Sequence, residues 1–411
     1  MKRPRLLVVH PWMARGGSEA TAMWALEALR EDYELTFATA APLRGSDWDA
    51  LNAAYGTRVD PASIRVRRAP VLPGVDGPRR LAHLQVRWFE RYCHRIAGDF
   101  DLCLSAYNPV HFGKPAIQLV GDFSFSEPMR RRLLAHADQP LRHRDTPLRR
   151  AYLALGRGIE LPQPPLRERG DLVLANSRWA ARQLAEFFGI EDAGVLHPPV
   201  PPLSAKPGLA RDPHAFACLG RIAPEKEIER VVAILERVRG LGLPVTLSIA
   251  GHLDGSDYGR GVAALAERHR HWIATPGFLD LVGKRALLSS CGHGLHACRI
   301  EAFGIAVAEM AAAGCVPFVP REGGAGEIVP YDELQFGDDD EAVARIAALL
   351  RDPGLVRERS RELAANAAAF SPGRFVERLR GYVLEFLSSA RRRSPSARPH
   401  EAAPQDLPTA H

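Results

Sequence analysis

The sequence contains no apolar run approaching the roughly 20 residues a membrane-spanning helix needs. The early stretch Leu6-Leu7-Val8-Val9 is too short for a secretory signal, so none is expected. Six cysteines are scattered as Cys93, Cys103, Cys218, Cys291, Cys298 and Cys315, without the spacing of a disulfide framework; this suits a reducing cytoplasm. There is no dinucleotide fingerprint, Walker loop or internal repeat. No nucleic-acid-binding module is recognisable either, so nucleic acid is not expected as a partner.

What is present is a soluble α/β composition. A chain of 411 residues, 46% hydrophobic and 25% charged, exceeds one ordinary core and suits two domains of about 150–200 residues. The net charge of +6 is unevenly spread. Arginines crowd the first half at 79, 80, 87, 91 and 95, at 130 to 132, and at 142, 144, 149 and 150. Such a face suits either solvent or an anionic lipid surface.

Short β-rich runs alternate with amphipathic stretches, the pattern of a parallel sheet wrapped by helices. The first half predicts strands at Leu6–Val9, Tyr33–Thr39, Leu102–Ser105, Ala116–Val120 and Leu172–Ala175. A helix is expected from Ser18, as N-cap, through Trp24, Leu26 and Leu29. Leu81, Leu84, Trp88, Tyr92 and Ile96 recur at helical spacing and mark one buried face. The run His197-Pro-Pro-Val-Pro-Pro202 continues neither helix nor central strand and reads as a stiff linker. Alternation then restarts with strands Ala215–Leu219, Val245–Ala250 and Val316–Val319 and helices Ile228–Arg239 and Gly261–His269. The expected division is residues 1–200 and 201–370 as two Rossmann-like domains, a returning helix over 371–390, and a disordered tail over 391–411.

Three segments carry chemistry. In Glu301-Ala-Phe-Gly-Ile-Ala-Val-Ala-Glu309-Met-Ala-Ala-Ala-Gly314, helix formers run back from Gly314 to about Ile305. Phe303 and Gly304 then stand at a helix N-terminus, whose free amides favour a diphosphate. Glu309, about 6–8 Å further along, suits a ribose diol, and Glu301 suits the hydroxyls of a sugar beyond the phosphates. An ordinary amphipathic helix with one exposed Glu fits the same letters. Gly220-Arg221-Ile-Ala-Pro-Glu-Lys226 follows an apolar strand and puts a guanidinium and an ammonium where phosphate oxygens bind, or leaves both in solvent. Gly16-Gly17-Ser18-Glu19 follows the first strand and permits close backbone approach at a helix start.

In this order the segments resemble the GT-B glycosyltransferases, specifically the retaining family 4. The resemblance also takes in Ala175-Asn-Ser-Arg-Trp179, His197-Pro-Pro-Val200, and Gly323-Gly324 followed by Glu327-Ile-Val. Gly294-Leu-His296 leading into Glu301-Ala-Phe-Gly-Ile is similar to the branch containing the mannosyltransferase that extends dolichol-linked oligosaccharides. The resemblance implies Arg221 and Lys226 on the donor diphosphate and Glu301 on the transferred sugar. It implies Glu309 on ribose, the Phe303-Gly304-Ile305 amides on phosphate, and Gly16 and Gly17 closing against the donor. Gly220 supplies the turn. No metal or other cofactor is implied.

One departure concerns the acceptor. Many relatives carry a histidine near the end of a first-domain strand, where this chain reads Gln118-Leu-Val-Gly121-Asp122. Asp122, His10 or His111 is then the candidate to orient an acceptor. Cys291-x-His293-x2-His296-x-Cys298 invites zinc, but the spacing fits no finger and the segment reads as a loop into the donor site; His296 is assigned instead to sugar or phosphate. The expected function is hexose transfer, mannose being one candidate, to a glycan or lipid-linked acceptor. The rival is a catalytically silent nucleotide-sugar-binding scaffold. Location is expected in the cytoplasm, with peripheral contact at the inner membrane face as an option.

Overall fold

The computed structural model describes residues 3–13, 16–75, 81–123, 125–133, 145–203, 211–253 and 255–393. The first domain is built on seven strands: β1 (Arg5–Val9), β2 (Glu34–Thr39), β3 (Arg65–Arg68), β4 (Leu102–Ser105), β5 (Ile117–Val120), β6 (Leu172–Ala175) and β7 (Gly194–Val195). They form one parallel sheet in the order β3-β2-β1-β4-β5-β6-β7. Its helices are α1 (Gly17–Leu29), α2 (Gly45–Tyr55), α3 (Ala82–Ile96), α4 (Glu127–Leu133), α5 (Pro147–Ile159) and α6 (Arg178–Phe188). The second domain repeats the plan with β8 (Asp212–Leu219), β9 (Thr246–Ala250), β10 (Ile273–Gly277), β11 (Cys291–Leu295), β12 (Val316–Pro320) and β13 (Gln335–Phe336), ordered β10-β9-β8-β11-β12-β13. Around it lie α7 (Ile228–Gly240), α8 (Asp257–Arg268), α9 (Leu281–Ser290), α10 (Ile305–Ala312), α11 (Asp339–Leu350) and α12 (Pro353–Ala367). Both sheets reverse strand order at their first strand, which opens a crevice at the carboxyl ends of the strands.

Burial explains the strands. β4, β5, β11 and β12 are buried at every position, as parallel strands covered on both faces must be. The last helix, α13 (Pro372–Arg393), returns to the first domain: Phe375, Leu379 and Val383 join Leu26, Leu29 and Phe37 in one core, and Arg380 Nε donates to Ala28 O at 2.7 Å. Most of the tail from 391 lies outside the described residues.

Several expectations need correction. Ser18 does not cap α1; Gly16 is the N-cap and the Ser18 hydroxyl donates to Glu19 Oε2 at 2.9 Å. The buried face of α3 centres on Leu84, Phe89, Cys93 and Ile96, while Leu81 is exposed. The linker from His197 is extended, as its prolines require, yet it is packed in the interior: His197 lies edge-on to Phe370, and the Val200 amide donates to Phe370 O at 2.8 Å. Residues 291–295, read as a loop, are the central strand β11. The arginine-rich face is partly spent inside the domain. Arg87 pairs with Glu90 and Glu160, and Arg149 with Glu127. Arg79, Arg80, Arg142 and Arg144 lie outside the described residues.

Candidate active site

The two sheets face each other across a cleft of about 1930 Å³, lined by the loops after β1, β4, β5 and β6 on one side and after β8, β9, β10 and β11 on the other. Its second-domain wall is built from the end of β8. The Gly220 amide donates to Ala250 O at 3.1 Å and turns the chain into a short 3-10 segment ending at Lys226. Arg221 extends into the cleft, its side chain 64% exposed and 3.1 Å from Glu225. Lys226 turns inward, its Nζ 2.5 Å from Glu301 Oε2. Burial works against the lysine's charge, but the Glu301 carboxylate outweighs it and holds the ammonium protonated well above the usual range. Burial likewise opposes the Glu301 carboxylate. Lys226 and then His296 overcome this and keep it ionised far below the ordinary carboxylate range.

The backbone at Glu301 and Ala302 is pinned from both domains. The Gly324 amide donates to Glu301 O at 2.7 Å, and the Ser177 hydroxyl of the first domain donates to Ala302 O at 2.5 Å. Gly304, with φ +98°, is then the N-cap of α10, and no side chain caps that helix. Its first amides therefore open toward the cleft, where Phe303, Gly304 and Ile305 line the wall. The Phe303 ring faces the other way, buried against His197 and Phe370, so only its backbone is available. Across the cleft the start of α1 is also uncapped by a side chain. A Cβ on Gly17 would lie 3.0 Å from Ile305 Cδ1, so the two helix starts meet with no room for a side chain between them.

Glu309 lies deeper on α10, 5% exposed, its carboxylate 2.6 Å from Lys284 Nζ on α9. Lys284 has no motif of its own and was missed in the sequence. His296 does not line the open cleft as expected. It sits behind Glu301, its Nε2 3.2 Å from the same Oε2 that Lys226 holds. The Cys–His run does not assemble as a set: His293 packs against Phe216 and Phe318, and the Cys291 carbonyl accepts from Arg211. Among the described residues, only His296, Cys298 and Glu301 bring potential ligand atoms within 4.8 Å of one another, with Lys226 already on the carboxylate.

On the first-domain wall, Asp122 accepts from Asn108 Nδ2 at 2.8 Å, while Asn108 Oδ1 receives the Gly121 and Asp122 amides at 3.3 Å each. His10 is wholly buried beneath Tyr107, and His111 packs against His94, so neither lines the cleft. Burial lowers the pKa of both imidazoles. Glu19, 6% exposed on the first turn of α1, is a cleft residue to which the sequence reading gave no role.

This arrangement, two Rossmann-like domains with an uncapped helix start and paired cations at the second-domain edge, defines a class. Residues 201–370, the whole second domain, match the family model for glycosyl transferases group 1, and the two facing Rossmann-like domains form the GT-B fold. The fold is similar to that of HepE from Anabaena, solved with UDP and glucose, at 16% identity and TM-score 0.64, covering 94% of this chain and 100% of that one. It is similar to sucrose-phosphate synthase from Thermosynechococcus elongatus, at 15% identity and TM-score 0.68 with the same 94% and 100% coverage. A third likeness is to WaaG, a glycosyltransferase involved in lipopolysaccharide biosynthesis, at 14% identity and TM-score 0.64, covering 91% and 98%. Comparison with curated protein sequences finds no match.

Proposed function

We propose that this chain transfers a hexose, with retention of anomeric configuration, from a nucleotide-sugar to a glycan or lipid-linked acceptor. The observation that carries the reading is the uncapped start of α10 beside the Lys226–Glu301 pair, facing the start of α1 across the cleft. The α10 amides and Arg221 receive the diphosphate, and Lys226 adds positive charge as the leaving group develops. Glu301 accepts from hydroxyls of the transferred sugar. Glu309 accepts from the ribose diol, sharing its carboxylate with Lys284. The acceptor oxygen attacks the anomeric carbon on the face from which the nucleotide departs. The bond to the phosphate oxygen breaks, and the acceptor proton passes to that oxygen. Positioning and leaving-group stabilisation carry the rate, with no metal in the scheme. Mannose is the sugar the subfamily likeness points to.

The test is turnover of UDP-, GDP- and ADP-sugars with and without glycan acceptors, with Lys226→Ala and Glu309→Ala as controls. Nucleotide binding without turnover of any donor would favour the silent scaffold. Peripheral membrane contact is supported by α5, where Leu148 is 81% and Leu155 64% exposed beside Arg150. Flotation with anionic vesicles tests it, and absence of binding at low salt sinks it. No helix among the described residues is long and apolar enough to cross a membrane.

A further inference from the structure

A cleft of about 1930 Å³ is far larger than one ligand needs, since pockets for a drug-sized molecule run to roughly 300–1,000 Å³. Among the described lining residues, every lysine and arginine (Arg221, Lys226, Arg230, Lys284 and Arg299) stands on the second domain, among seven carboxylates of that same wall that include Glu225, Glu301 and Glu309. The first-domain wall contributes two carboxylates, Glu19 and Asp122, and the aromatic rings of Trp12 and Tyr107. Trp12 and Tyr107 meet edge to face with centroids 5.9 Å apart, and His10 supports Tyr107 from beneath at 5.1 Å. Asp122 is fixed from two directions by Asn108, itself 4% exposed. Neither ring nitrogen of buried His10 makes a regular hydrogen bond, and its burial opposes protonation, so this side chain does not neutralise the two acids.

We infer that the first-domain wall receives a saccharide end bearing no anionic group, one ring face packed on Trp12 and a hydroxyl donating to Asp122. The inference rests on the donor site lying on the second domain. An aromatic face suits the C–H face of a pyranose, and a fixed carboxylate suits a hydroxyl donor. The same carboxylates repel a phosphate or uronate brought to this wall. If the acceptor is lipid-linked, its phosphate lies away from Trp12 and Asp122.

The test uses the full chain and methyl hexosides matched except at C6, which carries hydroxyl, carboxylate or phosphate, in gluco and manno forms. Binding is read by saturation-transfer NMR, with and without saturating UDP, and UDP affinity is measured separately by calorimetry. The neutral hexoside should bind about tenfold more tightly than its anionic partners, the scale of one like charge nearby. Trp12→Ala should weaken the neutral hexoside about tenfold, as loss of a stacking face does. Asp122→Asn should narrow the neutral-to-anionic ratio, with UDP affinity unchanged in both variants. Equal or tighter binding of an anionic hexoside, no hexoside binding, or indifference to Trp12→Ala each overturns the inference. Failure of UDP to bind counts against the donor-site reading alone, because the hexoside ranking is also read without nucleotide.

Discussion

The Lys226–Glu301 pair can be tested by a double-mutant cycle, because its partners share one short contact in a mostly dry setting. Their side chains are 22% and 17% exposed, and Nζ to Oε2 is 2.5 Å. Removing one partner of a buried pair costs about 3–5 kcal/mol, chiefly from the charge left behind. With a fifth of each side chain in water, about 3 kcal/mol is expected for Lys226→Met and for Glu301→Gln alone. The double variant leaves no stranded charge and should cost no more than either single one, giving a coupling of at least about 3 kcal/mol. The assay is urea unfolding by circular dichroism at neutral pH, following the transition that reports the second domain. Wild-type Glu301 has a depressed pKa, so its contribution is present above the ordinary carboxylate pKa and is lost as pH falls toward the depressed one. In Lys226→Met, burial instead raises the carboxyl pKa, so the penalty should shrink in mild acid. His296 is the partner left beside it. Costs that add to within about 0.5 kcal/mol would show that the contact stabilises nothing and would refute the reasoning.

Three further outcomes follow from other contacts. His293 packs against the rings of Phe216 and Phe318, and burial pushes its pKa down to about 4 from 6.5. Its stability cost therefore grows as pH falls from about 6.5 toward about 4; His293→Phe should stabilise by about 1–3 kcal/mol and flatten that acid slope, so unchanged slopes in urea midpoints between pH values would count against it. Glu327 accepts the Trp179 amide at 2.7 Å and faces His197 at 3.2 Å, capping a first-domain helix from the second domain. Glu327→Ala should cost about 1–2 kcal/mol and speed hydrogen exchange at the Trp179 amide; unchanged exchange would remove this cap from the account. A Cβ on Gly324 would fall 2.0 Å from Ala302 O, whereas one on Gly326 would meet nothing nearer than the Gln335 side chain at 3.4 Å. Gly324→Ala should therefore lose at least about 1–3 kcal/mol while Gly326→Ala is nearly silent, as thermal melts of the two would show.

The fold was legible where the cause of structure is local. Runs such as Leu102–Ser105 and Leu172–Ala175 fall on observed strands, and α7 and α10 begin at the expected residues. Strand β11 was missed because Cys-Gly-His-Gly-Leu has poor strand propensity, and packing overrides it. A Cβ on Gly294 would lie 2.3 Å from Met310 Sδ, so α10 sits too close to β11 for a side chain. The candidate site divides the same way. Glu301, Gly304 and Glu309 share one stretch and announce a helix start. Lys284 is 25 residues from Glu309, Glu327 is 148 from Trp179, and Asn108 is 14 from Asp122. No local pattern selects such partners; the crossing of the chain between β-α units does.

Those distant partners also determine what a ligand must displace. Lys226 is held by Glu301, Lys284 by Glu309, and Arg221 by Glu225. Each second-domain carboxylate proposed to receive a donor hydroxyl thus already has a cation, and a cation facing the diphosphate already has an acid. A diphosphate gains most from the group whose existing pair is weakest. That group is Arg221, 64% exposed and in an i,i+4 surface contact of the kind contributing about 0.3–0.5 kcal/mol. Lys226, whose pair is buried, is better suited to holding Glu301 ionised and fixed than to leaving it. First capture of phosphate therefore falls to Arg221 and the α10 amides, with Lys226 acting from its place on Glu301 as charge develops on the leaving oxygen.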